Sequence, residues 1–185
     1  MPVLHLVRHG QSQWNADGLL QGQTMPVPLT ERGQREAEAA AQELAGLPIS
    51  AVYSSDLVRA VQTATPIARL HGIGIRLDPD LRERGYGELE GMPSSAAYAA
   101  TAGLDWTDAD LRVGGGESTR DVHRRVGAAL ARCVAEHATP AGQQVVLVSH
   151  GDTIRVALGW CAGFGADKIP WREVPNGSIT SIRMA

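Results

Sequence analysis

The chain predicts an α/β fold with a mostly parallel sheet, and three observations carry that prediction. Short runs rich in Val, Ile and Leu alternate with longer segments of helical period, turn-forming residues separate them, and two of the apolar runs end in the same dipeptide, His-Gly. Val3 to Val7 reads as the first strand, followed by a Gly/Gln/Pro-rich segment through Pro28. Thr30 has the chemistry of an N-cap and Glu31 sits where a helix N-terminus favours an acid, so a helix is expected over 31–45, ending near Gly46. Ile49 to Tyr53 is a second strand bounded by Ser54-Ser55-Asp56. With Asp56 as cap, Leu57, Val61, Ala64 and Ala68 fall at helical spacing to about Leu70, which puts Arg59 in the first turn.

Ile73 to Leu77 is expected as a third strand, broken by Asp78-Pro79-Asp80. Residues 86–116 lack sustained periodicity and read as a lid or insertion. Ser118 and Asp121 resemble a helix-start box, and Val122, Val126, Leu130 and Val134 give one apolar face over 119–137. Gln144 to Ser149 is a fourth strand whose unbroken run Val145-Val146-Leu147-Val148 suits burial on both faces. Asp152 is the expected cap of a helix to about Cys161, and Ile179 to Met184 a last strand.

A length of 185 residues suits one core, so a single domain over 1–185 is expected. A net charge of −3 argues against nucleic-acid or anionic-membrane partners, which favour a basic face. Two cysteines, Cys133 and Cys161, outside any C-x-x-C pair make a disulfide framework or structural zinc an unneeded assumption and suit a reducing cytoplasm. Neither a signal-peptide apolar block nor a membrane-length apolar run is present in the sequence. The apolar helix faces are all needed for the core, so no oligomeric state is assigned.

Arg8-His9-Gly10 follows the first strand and Ser149-His150-Gly151 the fourth. Ligands of open α/β sheets bind outside the carboxyl ends of strands, so both His-Gly pairs belong at the ligand edge. Gly151 permits close backbone approach, and the helix behind it can turn N-terminal amides toward an anion.

The blocks "LVRHGQSQWN", "LLQGQ", "PLTERGQREA", "VYSSDLVRAVQTA", "LRERGYGELEGM", "GGGES" and "VVLVSHGDTIR", in this order, resemble the histidine phosphatase superfamily, in the branch that includes the cofactor-dependent phosphoglycerate mutases. The resemblance spans residues 3 to about 155. The chain departs from it at "TMPVPLT" and matches nothing specific in it over 88–113. It implies a three-layer α/β/α sandwich, a phosphohistidine intermediate on His9 and proton donation by Glu83, with Glu88 as the fallback. In that scheme Arg8 and Arg59 clamp phosphate oxygens through guanidinium forks, His150 stabilises developing charge, Asn15 donates its amide, and Gln21 and Gly22 touch the ligand. It requires no metal and no cofactor.

A mutase must hold a ligand with two anionic ends, yet Tyr86 to Leu111 contains no Lys or Arg and does contain Glu88, Glu90, Asp105, Asp108 and Asp110. The sequence therefore favours a phosphatase acting on a small-molecule phosphate monoester, such as a sugar phosphate or phosphoglycerate conjugate. A phosphoglycerate mutase and a non-catalytic phosphate-binding module are the alternatives. Met92, Tyr98, Leu104 and Trp106 of the lid are candidates to cover the organic leaving group.

Overall fold

The computed structural model describes residues 2–138 and 143–184. Five strands, β1 (Val3–Arg8), β2 (Ile49–Ser54), β3 (Ile75–Leu77), β4 (Gln144–Ser149) and β5 (Ile179–Arg183), form one sheet in the order β3-β2-β4-β1-β5. All pairs are parallel except β5 on β1. Because β4 lies between β2 and β1, its side chains have a core on each face. Val145 and Leu147 join Leu4 and Leu6 in one apolar cluster, and Val146 and Val148 join Val7 and Val52 in the other. That placement accounts for the unbroken apolar run in β4.

Helices α1 (Gln13–Ala16), α2 (Glu31–Leu44), α3 (Val58–His71), α4 (Ser94–Ala100), α5 (Thr119–Glu136) and α6 (Gly151–Cys161) complete the fold. α2 and α3 cover one face through Ala40, Ala41, Leu44, Ala60, Ala64 and Ile67. α5 and α6 cover the other through Val122, Val126, Leu130, Ile154 and Ala157, giving the three layers. Consequently β1 sends its chain to one face and β4, its neighbour, sends its chain to the opposite face. A crevice opens between their carboxyl ends, where doubly wound sheets bind ligands. Among the described residues no helix is long and apolar enough to cross a membrane.

Several sequence expectations need correction. Asp56 does not cap α3: the N-cap is Leu57, with no side-chain cap, because the Asp56 carboxylate is drawn into a two-pronged contact with Arg82. Asp152 does not cap α6 either. The N-cap is His150, and Asp152 lies in the first turn with its carboxylate bound to Arg155. The third strand is only Ile75–Leu77, since the Ile73 amide closes the end of α3 on the Ala68 carbonyl. The segment read as continuous loop before Pro28 contains α1, which is capped by Ser12 and Asn15, and the lid contains α4. The Ser118–Asp121 box forms as expected at the start of α5.

Candidate active site

Strand register assembles the site. Arg8 pairs with Ser149, and the His9 amide donates to the Ser149 carbonyl at 3.0 Å, so the two His-Gly pairs leave the sheet side by side. The His9 and His150 ring centres are 5.0 Å apart. β2 ends in register with β4, and the Ser55 amide donates to the Val148 carbonyl at 2.9 Å. That seats Ser55 Oγ 2.9 Å from His150 Nε2.

Behind His9 the backbone is packed without room for a side chain. A Cβ on Gly10 would lie 2.3 Å from the Gly33 carbonyl oxygen, so the first turn of α2 presses directly on the loop. His9 Nδ1 is 2.7 Å from the Gly10 carbonyl oxygen, an acceptor only, which fixes the proton on Nδ1 and leaves the lone pair on Nε2. The ring is 2% exposed. Nε2 has no protein partner and is absent from the fully buried unpartnered atoms, so the open sliver includes this nitrogen.

Arg59, in the first turn of α3, is completely buried. It donates through Nη2 to the Gly22 carbonyl at 2.7 Å and through Nη1 to the Thr24 carbonyl at 3.0 Å. Gly22 adopts a φ of +48°, and a Cβ there would run into the Glu90 carboxylate, so this tight turn requires glycine. Arg8 is anchored by Nη1 on the Val174 carbonyl. Five buried side-chain nitrogen or oxygen atoms among the described residues lack a partner, and three of them are Arg8 Nε, Arg59 Nε and His150 Nδ1. Unpaired buried polar atoms are costly, and these three belong to side chains that neighbour His9.

Glu83 sits at the N-terminus of α6 and pairs with neither Arg82 nor Arg84. Its Oε1 accepts from the Arg84 amide at 2.9 Å and from the Thr153 amide and hydroxyl, both at 3.1 Å. Its Oε2 has a single, longer contact, 3.3 Å from the Asp152 amide. The backbone of this segment is held from behind by Arg125, which donates to the carbonyls of Asp80, Arg82 and Glu83 and is paired with Glu117. Glu117 also accepts from the Gly85 amide and from Gln23.

A cavity of about 890 Å³ stands over this floor and is lined by Arg8, Asn15, Gln21, Gly22, Glu83 and Gly151, among others. Asn15 Oδ1 accepts from the Ser12 amide, the Ser12 hydroxyl lies 2.6 Å from Gln21 Oε1 and 3.1 Å from Asn15 Oδ1, and both amide side chains line the cavity. His9, Arg59 and His150 lie beneath the lining, as their burial shows. The fallback Glu88 is exposed in a single 3-10 turn and does not reach the cavity. Tyr98 and Trp106 line it, whereas Met92 and Leu104 do not.

Sequence reasoning missed three contributors: Ser55, Asn176 and the 166–174 segment. Asn176 donates to the His9 carbonyl at 3.0 Å, and the segment supplies Ile169, Trp171, Arg172 and Val174 to the cavity wall. No periodic pattern marks that stretch, and the only local signal was the Pro175-Asn176-Gly177 turn. Arg84, Arg155 and Arg172 also line the cavity, so the lid's lack of cations does not describe the whole wall.

Burial holds both imidazoles well below their ordinary pKa, with the Arg59 charge as the next cause for each. Burial likewise lowers Arg8, against the attraction of Glu83, and brings Arg59 down to about 10, which still leaves it cationic at neutral pH. The sign for stability follows directly. Above about pH 6.5 the histidines are neutral in both folded and unfolded chains; below it the unfolded chain takes up protons that the folded one refuses. Unfolding free energy is expected to fall with acidification by up to about 1.4 kcal/mol per pH unit for each imidazole. Urea titrations from pH 8 to 5 check this, and His150→Asn is expected to reduce the slope below pH 6.5 by one proton's worth.

The sequence model of the Histidine phosphatase superfamily (branch 1) matches residues 4–185. A protein of Enterobacter sp. (strain 638) named probable phosphoglycerate mutase GpmB is 40% identical over 98% of this chain and 85% of its own length. A mycobacterial glucosyl-3-phosphoglycerate phosphatase, solved in complex with VO3, superposes with a TM-score of 0.90 at 32% identity, covering 98% of this chain and 90% of that one. A putative alpha-ribazole-5'-P phosphatase from Escherichia coli K-12 gives a TM-score of 0.81 at 28% identity, covering 97% and 89%.

Proposed function

The chain belongs to branch 1 of the histidine phosphatase superfamily, and on that premise we propose that it is a metal-independent phosphatase that hydrolyses a small organic phosphate monoester through phosphohistidine at His9. One observation carries the reading: three unpartnered nitrogens, on Arg8, Arg59 and His150, surround a neutral imidazole whose Nε2 is the free ring nitrogen. A phosphate dianion supplies the acceptors that the Arg8 and Arg59 Nε–H groups lack, and His150 Nδ1 joins them in the tautomer whose Nε2 accepts from the Ser55 hydroxyl.

In the first half-reaction His9 Nε2 attacks phosphorus, and the bond to the leaving oxygen breaks as Glu83 delivers a proton to it. Glu83 Oε2, the oxygen with one long contact, is the one to carry that proton. In the second, Glu83 takes a proton from water as the water oxygen attacks phosphorus, releasing phosphate and restoring His9. Arg8 and Arg59 meet the charge on the transferring oxygens, and the amides of Asn15 and Gln21 complete their coordination. The same positive charge does the work a metal would do, so activity is expected to survive chelator.

Support for a phosphatase over a mutase comes from the cavity's cations. Arg84 and Arg155 are engaged by protein acceptors, which leaves Arg172, set beside Glu173 and near Asp167, as the upper wall's remaining cation to grip a second anionic end. The 40% identical relative's name keeps the mutase in view as the second reading. The unpaired thiols Cys133 and Cys161 support a reducing, cytoplasmic setting.

Assaying the protein on a panel of phosphate monoesters, beside phosphoglycerate isomerisation with and without bisphosphoglycerate, separates the two readings. Isomerisation outrunning phosphate release would sink the phosphatase. Glu83→Gln is expected to lower kcat on alkyl phosphates by about 10²-fold or more and to matter far less for nitrophenyl phosphate, whose leaving group needs no proton. Equal losses on both would contradict the acid assignment.

A further inference from the structure

Beyond the phosphate floor the 890 Å³ cavity is lined by aliphatic and polar residues together with aromatic side chains, three of which are open to water. Trp171 is 83% exposed, Tyr98 65% and Trp106 45%, and all three line the cavity. So much exposed ring is apolar surface whose burial a ligand can complete.

Two of these rings are held in place by charge. The Arg84 guanidinium lies 5.7 Å from the centre of the Tyr86 ring and 6.0 Å from that of Trp106, and the Arg155 guanidinium lies 5.8 Å from that of Trp171. Both cations converge on Asp152: Arg155 donates to Oδ1 at 2.6 and 2.7 Å, and Arg84 Nη1 is 3.9 Å from Oδ2. Asp152 stands in the first turn of α6, next to Gly151, which abuts Arg8. Asp152 is therefore paired with Arg155 and near Arg84, the two guanidinium groups that lie over the Trp171 and Trp106 rings.

The same arrangement spends the charge. Arg84 gives its other donors to the carbonyls of Glu117 and Leu111 and to Thr119 Oγ1. Arg155 is neutralised by Asp152. Arg172 at the rim is adjacent in sequence to Glu173, which lines the same wall as Asp167. A second anion would meet two engaged cations, and the Asp167 and Glu173 carboxylates around Arg172, whereas a flat apolar group would meet indoles.

We propose that the upper cavity is a leaving-group site for an aryl or comparably bulky, uncharged phosphate monoester, contacted by Trp106 and Trp171. The inference rests on the phosphatase reading above and names its substrate class.

The test compares kcat/KM for 2-naphthyl phosphate with that for glycerol phosphate in the full chain and in Trp106→Ala and Trp171→Ala. The ratio of the two is expected to fall about 10-fold in each variant, the loss of one aromatic contact. Trp171→Phe is expected to restore most of it. Misfolding lowers both activities together and leaves the ratio unchanged. Binding of 2-naphthylmethylphosphonate, which has no hydrolysable P–O–C link, is measured in parallel by calorimetry against methylphosphonate. Trp-dependent binding of the naphthyl compound with no hydrolysis of any monoester upholds the site and sinks the phosphatase reading. An unchanged ratio in variants that keep wild-type activity on glycerol phosphate, or 3-phosphoglycerate outperforming naphthyl phosphate, overturns the site and leaves the phosphatase reading standing.

Discussion

His9→Ala is expected to lose at least about 10⁴-fold in kcat on every monoester tested, because removing a nucleophile abolishes the covalent route and leaves only positioning and charge. The accompanying signature is chemical. Wild-type enzyme quenched during turnover of a labelled monoester carries phosphate that is labile in acid and stable in alkali, and His9→Ala carries none. The geometry makes His9 the one imidazole of the pair suited to the part. Its Nδ1 proton is committed to the Gly10 carbonyl and its Nε2 is free, whereas His150 has Nε2 on Ser55 and a buried Nδ1. Burial keeps His9 unprotonated at neutral pH, the state a nucleophile needs. Phosphorylation that persists in His9→Ala would move the chemistry to another residue.

Arg59→Met carries the second large expected effect. It keeps the volume of a completely buried side chain and removes its charge and donors. kcat/KM is expected to fall about 10²- to 10³-fold, the usual loss when a donor to transition-state charge is removed. The change also orphans the Gly22 and Thr24 carbonyls that Arg59 satisfies, at about 1–3 kcal/mol of unfolding free energy for a buried acceptor left unpaired. Inorganic phosphate is expected to bind the folded wild type and so raise its Tm, a rise expected to vanish in Arg59→Met. A preserved phosphate-dependent rise in the variant would show that the anion sits elsewhere. The double consequence follows from the two parts given to one side chain: the guanidinium proposed to meet the anion also pins the loop carrying Gln21 and Gly22.

Much of the molecule was legible in local pattern. Helices α2, α3 and α5 appear within a few residues of where apolar spacing and capping chemistry put them, and the Ser118 box closes on Asp121 as its spacing requires. The caps assigned to Asp56 and Asp152 failed for one shared reason. A carboxylate near a helix start has two offers, the local amides and a distant guanidinium, and at these positions Arg82 and Arg155 win with charge-assisted contacts. Sequence spacing sees only the first offer. The lid was read as deficient in cations, which is true of residues 86–111, but Arg84, Arg155 and Arg172 come to the same cavity from outside it.

The sequence by itself determined the alternation of strand and helix, the dual burial of β4 and the two His-Gly strand ends, because these depend on side-chain period and backbone permissiveness within a few residues. Only the tertiary structure decided that Arg8 aligns with Ser149, that Ser55 reaches His150, that Glu83 lands on the first turn of α6, and that Trp171 shares a cavity with Trp106. Those juxtapositions are set by strand order and register, which join segments up to about 180 residues apart through hydrogen bonds that carry no mark in the local sequence.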